Sequence, residues 1–128
     1  MKPDAVSAVL FARDQRNVAA FYAGVLGVAI LSGDADHSVL ACDGFELVVH
    51  QIPRRLLTPS VPGNPVQRRE QSALRLNFPV ADLARARREA SRLGGSIDVH
   101  PPPWAGDETK FFLGQDPEGN VFGLKVHA

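Results

Sequence analysis

The 128-residue chain has a single cysteine, Cys42, so it cannot form an internal disulfide. It therefore does not depend on an oxidising compartment, and a reducing cytoplasm suits it. It also lacks a long apolar run: nothing approaches the roughly 20 residues needed to cross a bilayer. Met1-Lys2-Pro3-Asp4 leads into mixed sequence without the apolar core of a signal peptide. Charge of one sign is missing too, because 14 basic residues offset 14 acidic ones. No net field favours nucleic acid or an anionic membrane. There is no phosphate loop, nucleophile elbow or paired-cysteine zinc motif. Gly94-Gly95 reads as a helix stop, since no further glycines complete a dinucleotide fingerprint. Cys42 has no neighbour that would lower its pKa and reads as a small residue at a strand end.

What is present is an ordinary globular composition, 45% hydrophobic and 22% charged, at the size of one domain, 1–128. The chain repeats itself. Val6 to Asp14 is strand-like and ends in an acidic residue. Val18, Phe21, Tyr22, Val25 and Leu26 then recur at helical spacing and stop at Gly27. The second half does the same, with a strand-like Ala73–Asp82, a helix face of Leu83, Ala86, Ala90 and Leu93, and a stop at Gly94-Gly95. Thirteen residues separate Asp14 from Gly27, and thirteen separate Asp82 from Gly95. The spacing predicts helices near Asn17–Gly27 and Leu83–Gly94. Strand-like segments follow each helix, at Val28–Leu31, Val39–Cys42 and Phe45–Ile52, then at Ser96–His100, Lys110–Leu113 and Val121–His127. The closing strands match: Phe45-Glu46-Leu47-Val48-Val49-His50 against Phe122-Gly123-Leu124-Lys125-Val126-His127. The organisation is βαβββ twice, with module one at about 5–52, a linker at about 53–72 and module two at about 73–128. Pro53, Pro59, Pro62 and Pro65 exclude a central strand or long helix from the linker. It is either a solvated connection or an arm that covers a pocket or grips a second subunit.

Asp14, then Phe21-Tyr22, then Leu26-Gly27 resembles the opening of vicinal-oxygen-chelate proteins, the superfamily of glyoxalase I, bleomycin-resistance proteins and extradiol dioxygenases. Asp116-Pro117-Glu118-Gly119-Asn120 before Val121-Phe122 resembles the turn that precedes their last strand. The resemblance covers nearly the whole chain. It implies an α+β fold in which two βαβββ modules form a curved, open mixed sheet around a concave pocket, with helices on the outer face. It also implies a homodimer, which family members commonly form. Function is less constrained, because this fold hosts several chemistries.

Strand alternation separates the faces. Leu74, Leu76 and Phe78, with Phe45, Leu47, Val49, Phe122, Leu124 and Val126, form apolar faces for the helices to cover. The opposite faces carry Ser7, Phe11, Glu46, His50, Arg75, Asn77, Gly123, Lys125 and His127, and the family fold makes these the pocket lining. Trp104, after Pro101-Pro102-Pro103, is expected to shape the pocket mouth or plug a sheet edge. Metal-dependent relatives take ligands from the first and last strand of each module. Those positions fall here on Ser7, Glu46, Arg75 and Gly123, one carboxylate where three or four donors are needed, with a permanent cation besides. His50 and His127 lie four strand residues, about 13 Å, beyond Glu46 and Gly123. His37 and His100 fall in expected turns. No metal and no cofactor are therefore expected. Arg75 is expected either to pair with Glu46 or to offer its planar donor fork to an anionic or carbonyl-bearing ligand.

The leading functional expectation is a sequestering or resistance-type binder of a small organic ligand, acting without metal. The alternatives are a lyase or dioxygenase of the same superfamily, metal-dependent or using Glu46, His50 or His127 as acid–base, and an assembly module with a vestigial cavity.

Overall fold

The structure, a computed structural model, describes residues 2–59, 65–106 and 110–127. Pro62 of the linker lies outside the described residues. The first module runs β1 (Val6–Ala12), α1 (Gln15–Leu26), β2 (Ile30–Gly33), β3 (His37–Cys42) and β4 (Phe45–Gln51). The second runs β5 (Asn77–Val80), α2 (Leu83–Arg92), β6 (Ser96–Ile97), β7 (Phe111–Gln115) and β8 (Val121–Val126). Two open four-stranded mixed sheets result, in the orders β1-β4-β3-β2 and β5-β8-β7-β6. In each, the first and last strands of the module pair in parallel and the other ladders are antiparallel.

Both helices start where the acidic residues place them. Asp14 accepts from the Asn17 amide and Asp82 from the Arg85 amide, satisfying donors that a helix N-terminus leaves free. Capping by Asp14 starts α1 at Gln15, two residues earlier than the apolar spacing indicated. Gly27 ends α1 in the left-handed region, at φ 68°. The expected strand from Ala73 forms a ladder only from Asn77, and Leu74 is 71% exposed ahead of it. The strand expected at Ser96–His100 is cut to two residues ahead of the proline run.

The helices cover the apolar sheet faces, as the alternation indicated, and one core spans both modules. Phe21 and Tyr22 of α1 meet Phe122 edge-on at 5.7 and 5.5 Å, and Tyr22 lies 6.1 Å from Phe78. At its buried end the Tyr22 hydroxyl donates to Asp116 at 2.8 Å. Burial first, then the Asp116 carboxylate, pushes the Tyr22 pKa well above its ordinary value.

The linker is held at its second half. Arg68 makes two hydrogen bonds to the Asp98 carboxylate, at 2.7 and 2.9 Å, and the Arg69 amide donates to Gly119 O at 2.9 Å. The Asp98 bond raises the Arg68 pKa, so the cation is fixed there.

Candidate ligand-binding site

The alternation that sends Phe78 into the core turns Asn77 to the opposite face of β5, and Arg75 follows two residues before it. Arg75 Nε donates to Asn77 Oδ1 at 3.0 Å. The guanidinium lies over two rings, 5.2 Å from the Trp104 centroid and 5.4 Å from that of Phe111. These rings are themselves 5.6 Å apart. Trp104 arrives on a short helical turn, Pro103–Ala105, after the proline run, and remains 63% exposed. Together with Lys110 and Lys125 these residues line an open groove of about 540 Å³. Its described lining carries three cations and no carboxylate. Gly123 makes the arrangement possible: a Cβ there would collide with Asn77 Oδ1 and the Phe111 ring.

The other candidates sit on the first sheet. Ser7 stands opposite Glu46, and Phe11 opposite His50, in the β1–β4 ladder. Phe11 is 59% exposed, with its ring 5.6 Å from His50. Glu46 is 3% exposed and accepts from the Lys2 backbone amide at 2.8 Å; its Oε2 has no hydrogen-bond partner. The pairing of Arg75 with Glu46, one of the two expectations for Arg75, is not made: Glu46 lies in the first sheet, Arg75 lies just ahead of β5 in the second module, and Asn77 with the aromatic rings takes the arginine instead.

Sequence reading missed two relationships. His37 is not in a turn; it opens β3 directly opposite His50, and the two rings stack with centroids 6.2 Å apart. The hairpin at Asp43-Gly44 held the signal, because Cys42 opposite Phe45 fixes every other pair in that ladder. The second concerns register. Ala12 faces Gln51 and Val80 faces Val126, which puts the closing strands two residues out of the alignment that matches Phe45 with Phe122. Asn77, not Arg75, thus stands opposite Gly123, and His127 falls just past β8, where its amide donates to Val80 O. A shift of two preserves the faces, so the lining residues keep their side of the sheet.

The metal positions do not fit an ion. Ser7, Glu46, Gly123 and either Arg75 or Asn77 supply one carboxylate, already bonded to the Lys2 amide. Among the described residues no group of three or more His, Cys, Asp and Glu side chains could hold a metal. Burial pushes the Cys42 thiol pKa up, which disfavours the thiolate.

A sequence model of the glyoxalase-like domain matches residues 7–125, nearly the whole chain. The chain belongs to the glyoxalase-like family. Solved structures carry this fold of the vicinal-oxygen-chelate superfamily. A glyoxalase/bleomycin resistance protein from Albidiferax ferrireducens is 14% identical with a TM-score of 0.65, over 96% of this chain and 98% of that one. An integron cassette protein from the mobile metagenome of V. cholerae is 21% identical with a TM-score of 0.63, over 100% and 98%. The fosfomycin resistance protein FosX from Listeria monocytogenes is 13% identical with a TM-score of 0.65, over 100% and 94%. No curated protein matches the sequence. No helix of the described glyoxalase-like chain is long and apolar enough to cross a membrane.

Proposed function

We propose that this glyoxalase-like protein is a sequestering or resistance-type binder that takes a planar organic anion in the groove of its second module, without a metal at the family's central position. The observation that carries this reading is the Arg75 guanidinium held over Trp104 and Phe111, beside Lys110 and Lys125. Asn77 uses one guanidinium donor, Nε, and leaves the terminal nitrogens for a carboxylate or phenolate. The exposed Trp104 ring, backed by the buried Phe111, supplies a flat apolar surface for the rest of the ligand. Pairs of opposite charge formed partly out of water are stronger than those in bulk solvent, which favours an anion over a neutral molecule of the same shape.

The chain is proposed to act as a soluble cytoplasmic homodimer. Val9 and Phe11, on one face of the edge strand β1, are 51% and 59% exposed, an apolar patch that a second copy would cover.

Trp104 is the sole tryptophan, so its emission reports on the groove directly. Titration with aromatic carboxylates should quench it saturably, and matched neutral amides should bind more weakly. Arg75→Met should weaken anion binding by about 1.5–3 kcal/mol, the range for hydrogen bonds to charged groups. Equal affinity for acid and amide, or unchanged affinity in Arg75→Met, would refute the reading.

A further inference from the structure

The groove of the second module draws its three cations from different segments, and the ladders fix where each one is rooted. Asn77 stands opposite Gly123, and its Oδ1 accepts from Arg75 Nε at 3.0 Å. The head of Arg75 is therefore tied at the level of Gly123. Lys125 lies two residues further along β8 on the same face, a rise of about 6.6 Å. Lys110 is rooted at that same end. It precedes Phe111, the ladder partner of Lys125, and its carbonyl accepts from the Val126 amide at 2.8 Å. One cation thus stands at one end of the groove and two at the other, with the Trp104 and Phe111 rings against the arginine. Both lysines are exposed, and among the described residues neither forms an ion pair. A single carboxylate on Arg75 would leave both of them unanswered. Cations gathered on one lining repel each other, and a cleft of one sign concentrates the opposite charge. The chain has three lysines against eleven arginines, and two of the three lysines are in this groove. Lysine is a compact charge on a flexible stem, suited to reaching a second charge that no rigid fork orients.

We propose that the groove takes a dianion with separated charges, a planar aromatic dicarboxylate, which rests on the anion-binding reading above and narrows it. One carboxylate meets the terminal nitrogens of Arg75, which Asn77 leaves free. The aromatic ring lies on Trp104, which is 63% exposed. The second carboxylate is met by Lys110 and Lys125 at the other end. A dianion that carries both charges on one group, such as a phosphate monoester, satisfies only one end.

Quenching of Trp104 by terephthalate and by its monomethyl ester tests this in the full chain. The ester keeps the ring and one carboxylate and replaces the second by an uncharged group. Terephthalate should bind about tenfold tighter, the combined effect of two exposed ammonium contacts. That advantage should shrink as salt screens the exposed charges. Phenyl phosphate should bind less tightly than terephthalate. Lys110→Met and Lys125→Met should each weaken terephthalate by about threefold or more and leave the ester unchanged. Lys2→Met, the same change of net charge outside the groove, should alter neither. Terephthalate should also protect Lys110 and Lys125, but not Lys2, from acetylation read by mass spectrometry. The proposal is overturned if terephthalate binds no tighter than the ester, or if phenyl phosphate binds tighter than terephthalate. It is equally overturned if folded Lys110→Met/Lys125→Met keeps the full preference for terephthalate. Ester binding that depends on Arg75, with no gain for terephthalate, would sink the dianion and keep the anion site. No saturable quenching by either ligand would sink both.

Discussion

The Tyr22 hydroxyl donates 2.8 Å to Asp116 Oδ2, joining the helix of one module to the final turn of the other across 94 residues of sequence. Asp116 is fully buried and also accepts from the Glu118 and Asn120 amides, at 2.8 and 3.0 Å, and from the Asn120 side chain at 2.9 Å. The turn is thus built around a carboxylate whose donors come from both modules.

Tyr22→Phe should cost about 1–3 kcal/mol, because it withdraws a donor from a buried charged acceptor. Tyr22 is the only tyrosine, so its ionisation can be followed without overlap. Its folded pKa lies above the unfolded value near 10, which makes its contribution fully present below pH 10 and lost as pH rises from there through the folded pKa. Absorbance of tyrosinate at 295 nm should therefore appear together with unfolding. Tyrosinate formed below pH 10 with circular dichroism intact would refute this.

Gly123→Ala should disturb the groove from beneath. The added methyl would displace Asn77 and the Phe111 ring, on which Arg75 rests. Overpacking of this kind typically costs about 1–3 kcal/mol. A lower melting temperature with weaker quenching of Trp104 by aromatic carboxylates is the expected pair of results.

Asp98→Asn should loosen the linker. Arg68 grips Asp98 with two hydrogen bonds, yet Asp98 is about a third exposed, so solvent screening limits the loss to about 1 kcal/mol or less. Faster cleavage within residues 53–72 in limited proteolysis, at nearly unchanged melting temperature, is the expected outcome.

Light scattering at micromolar concentration should give the mass of a dimer. Val9→Glu, which places a charge in the exposed strip of β1, should shift it towards monomer. A parent protein that is monomeric would remove the dimer from the proposal.

The two modules, the start of α2 and the faces of the strands were legible in the sequence. Each rests on local rules: strand alternation, helical spacing, an aspartate placed to cap, a glycine placed to stop. Phe45, Leu47 and Phe122 fell on the helix side, and Arg75, Asn77 and Lys125 on the other, because a side chain's face depends only on its position within its own strand. The register between strands was not legible. Matching Phe45 to Phe122 gave the correct face and the wrong ladder partner, since a two-residue slip leaves alternation intact and only hydrogen bonding between distant segments detects it.

The sequence by itself thus determined which face of its strand each residue takes, and it left one carboxylate at the four family positions. Tertiary structure alone decided the company those residues keep. Arg75 rests on Trp104 and Phe111, and Glu46 is taken by the Lys2 amide. His37 lies against His50. The physical reason is one of range: facing and capping are settled within a few residues, whereas the partner of a charge or a ring is set by how separate strands and loops pack, which no local pattern encodes.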